Sequence, residues 1–155
     1  MIFDGQKDVE KLRGHVRIEV RNAKGEVVRV YEKDNLIVDA GKNLLRDFLK
    51  GDSVQGLSRL ALGTGTTQAS ASDTALENET YRQAFSDIAV ENGLLRLTTF
   101  ISSSATSGDF TEFGLFGNGA DDTSGSGTLF SRVVYSTPVS KSSAESLTVQ
   151  WDITL

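Results

Sequence analysis

The sequence contains no cysteine among its 155 residues, and histidine, proline, tryptophan and methionine each occur once. Without cysteine there can be no disulfide framework and no thiolate metal site, but a chain of this length can bury a stabilising core without either. The single histidine, His15, is the only residue that could serve as the base of a Ser-His-Asp triad. No apolar run approaches the length that crosses a bilayer, and residues 1–4 lack the basic and apolar regions of a signal peptide. We therefore expect a protein that acts away from membranes and is made and used without Sec-type export.

The charge balance excludes one large class of partner. The formal net charge is -5 at pH 7, whereas affinity for nucleic acid comes largely from Lys and Arg side chains that neutralise phosphates. Hydrophobic residues make up 38% and charged residues 24% of the chain, which is a globular rather than a disordered composition. The sequence therefore predicts one folded domain that does not bind nucleic acid.

Apolar and polar residues alternate along most of the chain, a period of two that is typical of half-buried strands. Val16, Ile18 and Val20 alternate with charged residues in the first such stretch. Eight stretches share this pattern: 15–22, 26–33, 58–62, 81–90, 95–101, 110–116, 128–136 and 145–155. The sequence thus predicts an all-β fold with one short helix, an antiparallel, jelly-roll-like β-sandwich of about eight strands.

Residues 41–50 carry the one convincing helical pattern. Its apolar face is formed by Leu44, Leu45, Phe48 and Leu49. Asp39 is expected to cap the helix at its N-terminus, and Gly51 to follow its last turn. Because so short a helix is marginal alone, we expect its apolar face to pack on a sheet.

The sequence also predicts the direction of individual side chains, one hairpin turn and one strand end. Val28 and Val30 are expected to face inward on the second strand, and Trp151 inward on the last. Asn92-Gly93, between two apolar runs, predicts a type I′ hairpin turn. Thr137-Pro138 is expected to end the seventh strand, because proline cannot donate to a strand ladder.

Gly63-Thr64-Gly65 follows a strand and invites a phosphate-loop interpretation. A phosphate loop needs Lys-Ser/Thr after its last glycine, but residues 66–69 are Thr-Thr-Gln-Ala, without a lysine. No third glycine completes a dinucleotide-binding pattern. We interpret the segment as a strand end where another backbone approaches closely.

The remaining polar clusters also lack a catalytic or metal-binding pattern. The loop at residues 117–127 contains Asp121 and Asp122, but not the spacing of an EF-hand or its final glutamate. Glu77 and Glu79 lie two residues apart, and nothing near them in the sequence would raise a pKa for acid catalysis. His15 falls on the polar face of its strand. We expect no enzyme activity, no cofactor and no metal site.

The first thirteen residues differ from the rest in having mixed charge and little periodicity. We divide the chain into an N-terminal arm at residues 1–13 and a β-sandwich domain at residues 14–155. Two interpretations of the arm stay open, a frayed terminus or an arm that grips a neighbouring subunit. Its possible partner-binding residues are Ile2, Phe3, Val9 and Leu12.

Six segments, taken in order, carry a family resemblance. They are Asn-Leu-Ile-Val-Asp-Ala-Gly at 35–41, Leu-Ala-Leu-Gly-Thr-Gly-Thr-Thr at 60–67, Ser-Asp-Thr-Ala-Leu-Glu-Asn-Glu at 72–79, Glu-Phe-Gly-Leu-Phe at 112–116, Leu-Phe-Ser-Arg at 129–132 and Trp-Asp-Ile-Thr at 151–154. The order resembles small virion proteins of tailed bacteriophages, most of all jelly-roll capsid decoration proteins that sit as trimers on the head.

The resemblance implies a role and a set of partners. It implies a homotrimer that binds the major capsid protein on the outside of the assembled head and stabilises it, after synthesis in the host cytoplasm. It carries no catalytic residues. Similar sequences are also labelled tail or fibre components, so a tail-fibre adaptor or baseplate component is an alternative. A carbohydrate-binding β-sandwich module is a further alternative, which would need exposed aromatic side chains.

Overall fold

The computed structural model describes residues 12–154, which form ten β-strands and one α-helix. The strands are β1 (Arg13–Arg21), β2 (Val27–Asp34), β3 (Leu36–Ile37), β4 (Leu57–Gly63), β5 (Glu79–Ala84), β6 (Asp87–Glu91), β7 (Leu94–Ile101), β8 (Gly108–Gly117), β9 (Thr128–Lys141) and β10 (Ser146–Thr154), and the helix α1 is Asp39–Lys50. Most of the described chain is therefore strand, as the two-residue alternation predicts.

The strands form two antiparallel sheets of five. The first sheet has the order β2-β1-β10-β7-β6 and the second has the order β3-β9-β8-β4-β5. The chain crosses between the sheets four times, after β2, β5, β7 and β9. This arrangement confirms the predicted all-β sandwich. The last strand, β10, pairs on both sides and lies at the centre of the first sheet.

The main core lies between the two sheets. Its buried residues come from alternate positions of both sheets, for example Val16, Ile18 and Trp151 from the first and Leu62 and Phe113 from the second. Trp151 is only 1% exposed, which confirms that it faces inward. A second, smaller cluster, which includes Val38, covers the other face of the second sheet around Ala61. The helix follows Val38 and packs against β9 on that face.

The strand count differs from the sequence prediction for two reasons. Residues 36–37 form a short extra strand on the edge of the second sheet. The predicted strand at 81–90 is two strands, because the chain leaves the second sheet after Ala84 and joins the first sheet at Asp87. Ser86 lies at this crossing and holds it, since its N–H donates to the carbonyl of Thr98 at 2.8 Å. The alternation of apolar and polar residues continues through residues 81–90, so the sequence does not show where the chain passes from one sheet to the other.

The prediction that Val28 and Val30 face inward is wrong. Their side chains are 44% and 43% exposed. The pairing of β2 with β1 places Tyr31 opposite the buried Ile18, so Tyr31 and its alternate neighbours occupy the inner side. Arg29 reaches across from that side to the carbonyl of Ser140, at 2.9 Å. The valines are therefore left on the outer side of an edge strand.

The helix begins two residues earlier than predicted, and only part of its apolar face is covered. Leu44 is buried, but Phe48 is 64% exposed and Leu49 is 75% exposed, so the expected packing of these two side chains is wrong. Val38 rather than Asp39 is the N-cap residue, and it provides no side-chain cap. Gly51 ends the helix in the left-handed conformation with φ 94°, as expected.

Two turn predictions have different outcomes. Asn92 and Gly93 have φ values of 45° and 79°, both positive, as a type I′ turn requires. Pro138 does not end its strand, since β9 continues to Lys141. Instead the ladder with β8 skips residues 135–138, so the proline falls where no N–H is needed.

Candidate functional site

Four of the six segments that carry the resemblance meet at the carboxylate of Glu112, which is completely buried on β8. Its Oε2 accepts hydrogen bonds from the N–H groups of Gly65 at 2.7 Å and Asn78 at 2.7 Å. Its Oε1 accepts from the N–H of Glu77 at 2.8 Å and from Nε of Arg132 at 3.1 Å. Four donors therefore surround one carboxylate, which satisfies a buried charge that would otherwise be costly. We call Glu112 and these four partners the carboxylate hub.

Arg132 makes a second contact with the segment at 72–79, through Asp73. Its side chain is 3% exposed, and its second contact runs from Nη1 to Asp73 Oδ2 at 2.9 Å. Asp73 in turn accepts from the N–H of Ser70 at 2.9 Å, which closes the loop that precedes β5. Asp73, Glu112 and Arg132 thus fasten loops to β8 and β9.

The Gly63-Thr64-Gly65 segment is a close backbone approach, as predicted. A Cβ atom at Gly63 would lie 2.1 Å from the carbonyl oxygen of Asn78, and one at Gly65 would lie 2.4 Å from Glu112 Oε2. Only glycine fits either position without a shift of the neighbouring atoms. The segment therefore seats the loop against the hub and does not cradle a phosphate.

Glu77 and Glu79, considered above as a carboxylate pair, have separate structural partners. Glu77 accepts from the hydroxyl and the N–H of Thr67 and from the N–H of Thr66, and these hydrogen bonds, that of the hydroxyl first, hold its pKa below its ordinary value. Glu79 forms a two-pronged pair with Arg82, with both contacts at 2.7 Å. The lowered pKa of Glu77 is the opposite of the raised pKa that a general acid needs.

The loop at residues 117–127 is anchored by Arg82, whose side chain is 2% exposed. Nη1 of Arg82 donates to the carbonyls of Ser126 at 3.0 Å and Asp121 at 3.2 Å, and the guanidinium lies 4.4 Å from the centre of the Phe116 ring. Asp122 pairs with Arg59 at 3.0 Å. Within residues 12–154, no group of three or more His, Asp or Glu side chains could hold a metal ion.

His15 lies on the exposed side of β1, where carboxylates occupy both ring nitrogens. Nδ1 lies 2.8 Å from Asp34 and Nε2 lies 3.5 Å from Glu32. The hydrogen bond to Asp34 is the largest cause that raises the pKa of His15 above its ordinary value. Among the described residues, no Ser or Thr hydroxyl is a hydrogen-bond partner of His15, as a Ser-His pair would require.

An apolar groove opens at the end of the sandwich beside the helix, with a volume of about 550 Å³. It lies between α1 and the β6–β7 hairpin, above the inner residues Phe130 and Ile153. Its most exposed walls are Phe48 on the helix, at 64%, and Val90 on β6, at 81%. Leu12, the first described residue, also lines it. We refer to this feature as the apolar groove.

A second apolar surface lies on the edge strand β2. Val27, Val28 and Val30 are between 42% and 44% exposed. Within the described residues β2 pairs only with β1, so one side of its backbone has no strand partner. Long exposed edges with apolar side chains are the places where sheets associate with other chains.

Of the predicted arm residues, only Leu12 falls within the described residues. Leu12 is half-buried, packs against the main core and reaches the apolar groove. Ile2, Phe3 and Val9 lie outside the described residues. Sequence reasoning missed the groove itself, because its walls come from the helix, the β6–β7 hairpin and the chain start, which are far apart in sequence.

Comparisons with known proteins identify no relative: no protein family, no curated protein and no solved structure matches the chain. Within residues 12–154, no helix has both the length and the apolar character that crossing a membrane requires. The functional argument therefore depends on the residues of the chain itself.

Proposed function

We propose that this protein is a non-enzymatic structural component of a tailed-bacteriophage virion, a capsid decoration protein that binds the assembled head as a trimer. One observation supports the proposal above the rest. The polar residues in the segments that resemble such proteins, Glu112, Arg132 and Asp73 among them, are used to fasten loops to a sandwich. These residues thus make the domain rigid. A decoration protein needs such rigidity, whereas a catalyst would need some of these side chains to contact a substrate.

A protein that stabilises a capsid by binding it needs a rigid fold and several contacts with the capsid. A protein that binds only the assembled capsid stabilises that form by mass action, and no chemical step is needed. Three copies that bind adjacent capsid subunits together gain avidity without a large single interface. The major capsid protein is the partner in this proposal, and the virion surface is the location.

We assign the contact between copies to the edge strand β2. Its outer face carries Val28 and Val30, and within the described residues one side of its backbone is available to pair with another strand.

The substitutions Val28→Lys and Val30→Lys together place charge on this edge, and we expect the trimer to dissociate to folded monomers. The matched control is Ile88→Lys on the other edge strand of the same sheet, β6, where Ile88 is 58% exposed. Light scattering after gel filtration measures the mass. A monomeric wild-type protein, or a trimer that survives both lysines, would contradict this assignment.

The location on the virion has a direct test. Antibodies against the full chain, conjugated to gold, are applied to virions of the phage that carries the gene. Label on the head supports the decoration role. Label on the tail moves the assignment to the alternative, a tail-fibre adaptor or baseplate component. Virions without label would refute both.

The carbohydrate-binding alternative needs exposed aromatic side chains, and within residues 12–154 Phe48 and Phe100 are 64% and 49% exposed, whereas the tryptophan and the tyrosines offer less. Trp151 is buried, Tyr135 is buried, and Tyr31 and Tyr81 are only partly exposed. Sugar rings stack on exposed aromatic faces, and none of these four residues offers one. A glycan array probed with the labelled protein should give no signal.

A further inference from the structure

The apolar groove brings exposed apolar side chains from two separate elements, Phe48 and Val90, to one surface. Leu44 and Leu95 continue the apolar walls between Phe48 and Val90. Within residues 12–154 the side chains of Phe48 and Val90 stay largely uncovered, at 64% and 81% exposed. Covering these side chains with other apolar side chains would remove apolar surface from water, which is favourable.

The chain itself continues from the groove into an apolar segment. Leu12 lines the groove, and the eleven residues before it include Ile2, Phe3 and Val9. The strand register shows where this segment departs: Arg13 pairs with Thr154, which pairs with Leu94 at the edge of the groove. The segment therefore leaves β1 at the end of the sheet where the groove opens.

The spacing of the segment suits the groove. Val9 and Leu12 are three residues apart, so in a helical turn they share one face. Even in an extended chain Val9 stays within about 10 Å of Leu12. Ile2 and Phe3 lie far enough along the chain to reach the helix wall at Phe48.

We propose that the apolar groove binds the protein's own residues 1–11 in cis, with Phe3 and Val9 as the anchoring side chains. Tethering beside the groove gives the segment a high effective concentration there, so few apolar contacts suffice to hold it. The proposal is independent of the virion role. It differs from the arm that grips a neighbouring subunit, because it places the segment on its own domain.

The absence of cysteine allows a clean test with a single spin label. Gln6→Cys, between the two anchors, carries a nitroxide, and the amide signals of the full-length protein are recorded by NMR. We expect loss of the signals of Val90 and Leu94 in the groove. The signals of Val28 should survive, because it lies more than about 20 Å along the sheet from Leu12. Survival of the groove signals as well would overturn the proposal.

A mixed sample separates cis from trans. Spin-labelled protein without ¹⁵N is mixed with unlabelled protein that carries ¹⁵N, so only contacts between copies remove signals. Binding in cis predicts intact groove signals in the mixture. Loss of the Val90 signal there would overturn binding in cis and would favour an arm that reaches a neighbouring copy.

Substitutions in the segment test its anchors. Phe3→Asp together with Val9→Asp, in the labelled protein, should restore the groove signals, because charged side chains do not enter an apolar groove. The matched control is Lys7→Asp, which changes charge in the same segment and should leave the signal loss unchanged. Circular dichroism confirms that each variant keeps the fold. Groove signals that stay lost in the double variant would overturn the role of the two anchors.

Discussion

The carboxylate hub makes a sharp prediction for the substitution Glu112→Gln. Gln keeps the shape of Glu but replaces one acceptor oxygen by an NH₂ group. Oε2 accepts from Gly65 and Asn78, and Oε1 accepts from Glu77 and Arg132. Whichever way the amide points, two donors then face another donor, and Arg132 loses its buried charge partner.

The magnitude follows from the number of bonds lost. A hydrogen bond to a charged group contributes about 1.5–3 kcal/mol, and removing one partner of a buried ion pair costs about 3–5 kcal/mol. We expect Glu112→Gln to lower the free energy of unfolding by about 3–5 kcal/mol. In a domain of this size the melting temperature should fall by about 6–20 °C.

Urea denaturation followed by circular dichroism, with thermal melting as a second measurement, tests this prediction. The matched control is Glu26→Gln on the exposed turn before β2, which should stay within about 0.5 kcal/mol of the wild type. Arg132→Met should also destabilise the protein, and the double variant should lose less than the sum of the two, because both changes remove one shared interaction. A loss of under about 1 kcal/mol for Glu112→Gln would refute the reasoning.

Two further predictions concern packing and pH. Gly41→Ala should destabilise the protein by about 1–3 kcal/mol although alanine favours helix, because its Cβ would lie 2.2 Å from the backbone oxygen of Phe130. The control in the same urea assay is Gly56→Ala, which has open space around it, and a Gly41→Ala variant as stable as the wild type would contradict the packing. The pKa of His15 should lie above its ordinary value of 6.5 in an NMR titration, chiefly because of the hydrogen bond to Asp34. A raised pKa in the folded state means that this contribution to stability is present below pH 6.5 and is lost as the pH rises through the folded value. Asp34→Asn should bring the pKa of His15 back down, and a wild-type pKa at or below 6.5 would contradict the contact.

The sequence predicts the sandwich well because two-residue alternation reports directly on strands with one buried face. The stretch that contains Val16 and Ile18 and the stretch that contains Trp151 pair with each other, and their apolar residues are buried as expected. Turn chemistry is equally direct, since Asn92-Gly93 needs only local backbone preferences. These features depend on residues that are close in sequence.

The carboxylate hub is not predictable in the same way. Gly65, Asn78, Glu112 and Arg132 are each separated from the next by more than ten residues, and no local pattern shows that three backbone N–H groups converge on one side chain. One sequence signal is the pair of glycines at 63 and 65, which predicts a close approach without identifying the partner. A second signal is the charged residue Glu112 beside the apolar residues Phe113 and Leu115.

The wrong predictions about which side chains are buried share a physical cause. Alternation and helical spacing separate two faces of an element, but they do not say which face another layer covers. In β2 the inner face goes to Tyr31, and Val28 and Val30 remain outside. In α1 the sheet covers Leu44, and Phe48 on the same apolar face stays exposed. Natural sequences depart from such local rules mainly where a contact outside the fold compensates. The exposed apolar residues therefore mark the two surfaces, the edge of β2 and the apolar groove, that most need an occupant, and these are the surfaces to which we assign a second copy of the chain and its own first eleven residues.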